Sequence, residues 1–202
     1  MSYLSAAVIS LDDPAAFADA GQSWASARLG EMGAVSTTAS QIVMGGEAAG
    51  TVIVAFEWDS IDAAMTGQAA LYADADMLAL MKDTGVTLHR RSLLRLQAEF
   101  GTRTGDFGSV LYVGGPSMDD ATAQESFALA WGHMQNGANG LTALENIAGG
   151  PGTFTGSVVT WADSLDSMMA AATENYADPK IQEALASTGM QPLGRVLTRR
   201  LF

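Results

Sequence analysis

Displaced along itself by 104 positions, the chain meets its own pattern. Gly45-Gly46 falls on Gly149-Gly150, Tyr72-Ala73-Asp74 on Tyr176-Ala177-Asp178, and Thr84-Gly85 on Thr188-Gly189. Ser60, Asp62 and Met65 meet Ser164, Asp166 and Met169, and Arg91, Leu93 and Arg95 meet Arg195, Leu197 and Arg199. From Ser60 to Arg95 the two copies share 11 identities in 36 pairs. A unit this long, present twice, is no solenoid repeat; it describes two small domains that complete one another within one chain.

Each copy reads the same way. A β-like run opens it, Ser5–Leu11 and Ser109–Val113. Asp12-Asp13 and Asp119-Asp120 then supply carboxylates to cap helices over Pro14–Leu29 and Ala121–Met134, because carboxylates accept the unpaired first-turn amides. Phe17, Trp24 and Leu29, and Phe127, Trp131 and Met134, recur at helical spacing. Strands at Val35–Val43 and Leu141–Ile147 reach paired glycines suited to hairpin turns, and Thr51–Trp58 and Gly156–Trp161 return. Ser60 and Ser164 cap a second helix, Asp74 and Asp178 restart it, and Gly85 and Gly189 end it. Last strands cover Leu88–Leu96 and Leu193–Leu201. The pattern in each half is β-α-β-β-α-β, an α+β ferredoxin-like unit with both helices on one sheet face. The expected boundaries are residues 1–103 and 109–202, joined by a linker at 104–108. A sheet with one bare face favours packing of the two sheets into a barrel-like pair with a cavity between them.

The 202 residues are 48% hydrophobic, enough to bury a core in each half. With no cysteine, disulfides, thiolate metal sites and thiol nucleophiles are excluded. The formal charge of −12, from 22 acidic and 10 basic residues, sets the surface against nucleic acid and anionic membrane as partners. Met1 to Leu11 carries neither a basic stretch nor a long apolar run, so the expectation is a cytoplasmic protein without signal peptide or membrane span. It would stand as a monomeric pseudo-dimer or as a homodimer.

Phe56-Glu57-Trp58-Asp59-Ser60 with its following helix, the echo Trp161-Ala162-Asp163-Ser164, the Tyr-Ala-Asp stretches at Tyr72 and Tyr176, and the Asp178-Pro179 turn carry a family likeness. In these the chain resembles the dimeric α+β barrel superfamily, which includes antibiotic-biosynthesis-type monooxygenases, stress-responsive barrel proteins and NIPSNAP-like domains. The resemblance covers nearly the whole chain and implies two ferredoxin-like halves closing into an intramolecular barrel. Haem-degrading relatives rely on a histidine a short way beyond the tryptophan of this motif. The corresponding positions here are Gln68 and Thr173, so the resemblance does not extend to haem oxidation and implies no cofactor.

Chemistry is best sought among the arginines, since six of the ten basic residues lie on the last strand of each half: Arg90, Arg91, Arg95, Arg195, Arg199 and Arg200. Alternation puts Arg91, Leu93 and Arg95 on one face and Arg195, Leu197 and Arg199 on the matching face. Either they converge on a ligand carboxylate, enolate or phenolate through forked hydrogen bonds, or they pair with acids such as Glu57, Glu99 and Glu145. Trp58 and Trp161 wall an aromatic pocket or pack beneath helices; Tyr72 and Tyr176 donate to a ligand or rest half-buried with the hydroxyl in water. Tyr112 has no aromatic counterpart and would make any pocket asymmetric. By alternation His89 shares the face of Arg91 and is the candidate general base. Two histidines on different elements, His89 and His133, make no metal site, and the methionines at helical spacing read as core filler.

The expectation for function is a small-molecule-binding protein that clasps an apolar or aromatic anion between its sheets. The enzyme-class alternative is a cofactor-independent oxygenase or isomerase in which arginine stabilises an enolate and His89 or a tyrosine moves a proton. A structural module of a larger assembly is the third.

Overall fold

A computed structural model describes residues 2–150, 152 and 154–202. The chain divides into two compact units: Met1–Arg95 with Ile147–Gly150 and Arg200–Phe202, and Leu96–Asn146 with Pro151–Arg199.

The first unit runs β1 (Tyr3–Ser10), α1 (Pro14–Ala20), a π-helical turn (Gly21–Ala25), α2 (Ser26–Glu31), β2 (Ser36–Met44), β3 (Val52–Trp58), α3 (Ile61–Ala73), α4 (Ala75–Asp83) and the start of β4 (Thr87–Gly101). Its antiparallel strands lie in the order β2-β3-β1-β4, and Ala7 at the centre stands opposite Val54 on one side and Arg91 on the other. Every second residue of β3 is buried. Val54, Phe56 and Trp58 join Ala7 and Ile9 in a core closed by Phe17, Leu29, Leu71 and Met77 from the helices. Burial of that face drives the assembly of the unit, each large side chain contributing about 1.5–3 kcal/mol.

The second unit repeats this plan with β5 (Phe107–Gly114), α5 (Asp120–Met134), β6 (Gly140–Ala148), β7 (Gly156–Ala162), α6 (Leu165–Ala177), α7 (Pro179–Thr188) and β8 (Gln191–Arg200). The order is β6-β7-β5-β8, again antiparallel. Phe127, Met134, Leu141, Val158, Met168 and Ala172 form its core.

The caps fall where the sequence puts them. Asp13, Ser60, Asp74, Asp119, Ser164 and Asp178 each accept a first-turn amide, and Gly85 and Gly189 both take φ 66° past the last helical turn. Three features depart from expectation. The helix predicted over Pro14–Leu29 is interrupted by the π turn, where Ser26 Oγ donates to the Gly21 carbonyl at 2.7 Å and Ser23 Oγ to that of Asp19 at 2.7 Å. Hydroxyls competing for helix carbonyls favour such a bulge. β4 continues to Gly101 and β5 begins at Phe107, so the strands take up residues on both sides of Thr104.

The third departure concerns tryptophan. Trp58 pairs with Tyr3, and Ala162 pairs with Phe107, the residue 104 positions beyond Tyr3. The counterpart of Trp58 is therefore Ala162, while Trp161 stands in the register of Glu57. A one-residue offset turns a strand side chain to the opposite face.

No helix among the described residues is long and apolar enough to cross a membrane. Trp58, with 0% exposure, lies over Gly67 of α3, where a Cβ would overlap the indole. Gly67→Ala is expected to destabilise the protein by about 1–3 kcal/mol through overpacking. Gly132→Ala, in α5 with open space around it, should instead stabilise by about 0.5–1 kcal/mol. Urea unfolding of both variants checks the pair.

Candidate functional site

A β-bulge in each half decides which side chains meet the helices. Along β4, Arg91 pairs with Ala7 and Arg90 with Val8, but Ile9 pairs with Leu88. His89 is the extra residue and is exposed. An inserted residue breaks the two-residue alternation, so Leu88 rather than His89 joins Arg91 on the inner face. The expectation that His89 shares that face is corrected accordingly. The same shift recurs on β8, where Tyr112 pairs with Gly194 and Val113 with Pro192, leaving Leu193 over.

Arg91, Leu93 and Arg95 do share a face, and it is the face turned to the unit's own helices: Leu93 packs on the same core as Ala7 and Ile9. The arginine face expected to look into a space between sheets thus looks beneath the helices of its own unit. There a cavity of about 70 Å³ lies among Phe17, Leu29, Phe56, Met77 and Phe202, with Arg91 and Tyr72 on its wall. Arg91 Nη2 donates to Tyr72 Oη at 2.7 Å, and the guanidinium carbon sits 5.4 Å from the centre of that ring. Its Nε–H is buried without an acceptor. A buried donor left unpaired costs about 1–3 kcal/mol.

The second unit holds a matching cavity of about 80 Å³ that includes Arg195, Tyr176, Asn175 and Thr160. Here Arg195 Nη1 reaches only the Met169 sulfur, at 3.2 Å. Asn175, absent from the sequence-based candidates, is buried with an unpartnered Oδ1. The mismatch of Leu71 with Asn175 across the 104-residue offset is the sequence signal that would have singled it out.

The remaining candidates lie elsewhere. Arg95 stands opposite Tyr3 and Arg199 opposite Phe107, neither lining these two cavities. Trp58 is core, its Nε1 donating to Ser5 Oγ at 2.9 Å. Trp161 is half-buried on the strand face opposite Val158 and Ala162. Tyr112 packs edge-on against Phe154 with ring centres 5.6 Å apart and lines neither cavity.

The two positions where haem-degrading relatives carry histidine offer no imidazole. Gln68 Nε2 donates to Ser5 Oγ at 3.2 Å, and Thr173 donates to the Met169 carbonyl at 2.9 Å. His133 is engaged by Asp178 at 2.8 Å. These donors do not fit an axial haem ligand. Among the described residues no three His, Asp or Glu side chains gather as a metal site.

No family model and no curated sequence matches the chain. In fold it is similar to a proposed monooxygenase of Fusobacterium nucleatum subsp. nucleatum, with TM-score 0.61 and 10% identity over 100% of this chain and 93% of that one. It is similar to a second proposed monooxygenase, from Lactobacillus acidophilus, with TM-score 0.58 and 12% identity over 100% and 94%. A chlorite dismutase mutant from Candidatus Nitrospira defluvii matches with TM-score 0.56 and 8% identity over 98% and 91%. Across the full length the fold is thus shared with these structures, two ferredoxin-like α+β halves in one chain.

Asp74 and Asp178 occupy equivalent caps and hold the helix pairs that border the two cavities. The Met77 amide, then the Arg28 guanidinium, hold the Asp74 carboxyl below its usual range; the Lys180 amide, then His133, do so for Asp178. A lowered carboxyl pKa gives stability that is complete above the ordinary aspartate value of about 3.9 and is lost as pH falls through the folded value. Asp178→Asn should therefore be less stable than the parent at pH 6, with the difference shrinking below pH 3.5. Thermal unfolding across that range checks it.

Proposed function

We propose that the first unit binds a small apolar or aromatic molecule bearing one anionic group, with the anion on Arg91 and the body in the cavity beneath the helices. The single observation that carries this is the buried, unpartnered Arg91 Nε–H in a wall otherwise almost wholly apolar. Few polar groups precisely placed in an apolar hollow are what a small-ligand site requires. A planar guanidinium offers a carboxylate or phenolate two parallel donors, and here one of them is already stripped of water. Tyr72 accepts from Nη2 of the same guanidinium, so its plane is restrained before the ligand arrives.

A second reading has its own support. The likeness in fold to two proposed monooxygenases, together with the Tyr72 hydroxyl beside Arg91, suits a cofactor-free oxygenase acting on an electron-rich phenol. Arg91 would stabilise the phenolate, and Tyr72 rather than His89 would pass the proton, because His89 does not line the cavity.

Thermal shift with a panel of aromatic acids tests the first reading. A ligand at one hundred times its Kd adds about 2.7 kcal/mol, a rise of several degrees for a chain this size. Arg91→Ala should lower the rise, and Arg91→Lys should lower it less. An undiminished shift in Arg91→Ala rules the reading out. Oxygen uptake with the same phenols, lost in Tyr72→Phe and retained in His89→Ala, would promote the enzyme.

A further inference from the structure

We infer that the cavity of the second unit is a separate binding site with a different specification: it takes an apolar or aromatic carboxylate that also bears a hydroxyl group. Arg195 holds the carboxylate, while Asn175 and Thr160 receive the hydroxyl. The inference does not rest on the reading of the first unit.

The two cavities are built on one frame, so their differences can be read position by position across the 104-residue offset. Tyr72 and Tyr176 correspond, as do Arg91 and Arg195, and each of the four lines its own unit's cavity. Two positions that line the first cavity with apolar side chains carry polar ones in the second, Leu71 becoming Asn175 and Phe56 becoming Thr160, while Thr37, opposite Phe56, becomes Leu141. Both polar replacements are deeply buried, with 8% and 7% exposure. Burying a polar side chain costs free energy unless it is hydrogen-bonded, and Asn175 Oδ1 has no partner. A core position that carries leucine in one copy has thus been given an amide whose oxygen is unused.

A hydroxyl answers that vacancy in either orientation of the amide, because O–H both donates and accepts. The anionic end follows from Arg195. Its hydrogen bond goes to the Met169 thioether, a weak acceptor, so the guanidinium's stronger capacity is unspent. In the first unit the corresponding arginine is held by the Tyr72 hydroxyl instead. The volume of about 80 Å³ is several times the roughly 10–15 Å³ that a single water needs. One ring, or a short chain of comparable size, is the fitting body.

The probes are 3- and 4-hydroxybenzoate against benzoate, titrated calorimetrically into the full chain and into its Arg91→Ala variant, which disables the first cavity. A hydroxybenzoate is expected to bind the Arg91→Ala protein at one site at least about tenfold tighter than benzoate, the effect of one satisfied buried hydrogen bond. Asn175→Leu, which installs the first unit's own residue, should remove that preference while leaving cooperative unfolding intact. The Asn175 side-chain amide resonance should move on titration with the hydroxybenzoate and stay in place with benzoate. Should Asn175→Leu fail to fold, Thr160→Val and the amide resonance decide. Equal affinity for the acids, binding of neither at millimolar concentration, a preference that survives Asn175→Leu, or a motionless amide resonance would each overturn the assignment. Failure of the first-unit reading would show elsewhere, as benzoate binding unchanged between parent and Arg91→Ala.

Discussion

The register of the last strand in each unit governs everything near the cavities. On β4 the two-residue alternation holds from Arg95 back to Arg91 and is then reset by one inserted residue at His89. Without that insertion an imidazole would stand under the helices and Leu88 would face outward. With it, the inner face carries a leucine, an arginine and a further leucine, and the histidine is exposed. Because a bulge strengthens twist and re-aims neighbours, one residue converts a candidate acid–base site into an apolar hollow with a single cationic wall.

A half-buried arginine needs compensation for each N–H it withdraws from water, since an unpaired buried donor costs about 1–3 kcal/mol. The first unit supplies part of it. Tyr72 accepts one N–H and offers its ring face to the guanidinium, at a centroid distance within the range of cation–π attraction. The second unit supplies less, a sulfur lone pair at 3.2 Å. The head of Arg91 meets Tyr72 at the end of α3, whereas that of Arg195 meets Met169 within α6. The partners bonded to them are a phenol oxygen in one unit and a thioether sulfur in the other.

Much of this was legible in the sequence because the signals are local. A capping carboxylate or serine and a glycine after the last helical turn each act over a few residues, and all six caps were found in place. The shared face of Arg91, Leu93 and Arg95 follows from pleat geometry alone. Which side of the sheet that face addresses does not, because it depends on where the helices pack. The bulge at His89 was hidden for a related reason: no glycine marks it, and it is visible only as a shift in pairing between Val8 and Ile9. Trp161 misled by identity. A tryptophan near a strand end resembles Trp58, yet it stands one residue out of register and faces the other way.

Duplication followed by divergence gives the two halves different cavity linings within one frame. Both units keep the aspartate that pins the second helix, and in each a nitrogen-bearing side chain from the preceding helical segment bonds to it, Arg28 in one and His133 in the other. The frame positions are held and the chemistry of the lining is not. Phe56 fills volume that Thr160 leaves open, and the Leu111 that replaces Ala7 takes some of it back, so the two cavities stay close in size, about 70 and 80 Å³. Volume-conserving exchange is what a packed interior tolerates best. Against that background a buried amide with an idle oxygen is not explained by packing, because leucine already serves at the same position of the sister unit. A polar group kept where an apolar one is known to fit costs stability, and such a cost is characteristic of residues held in place by what they bind.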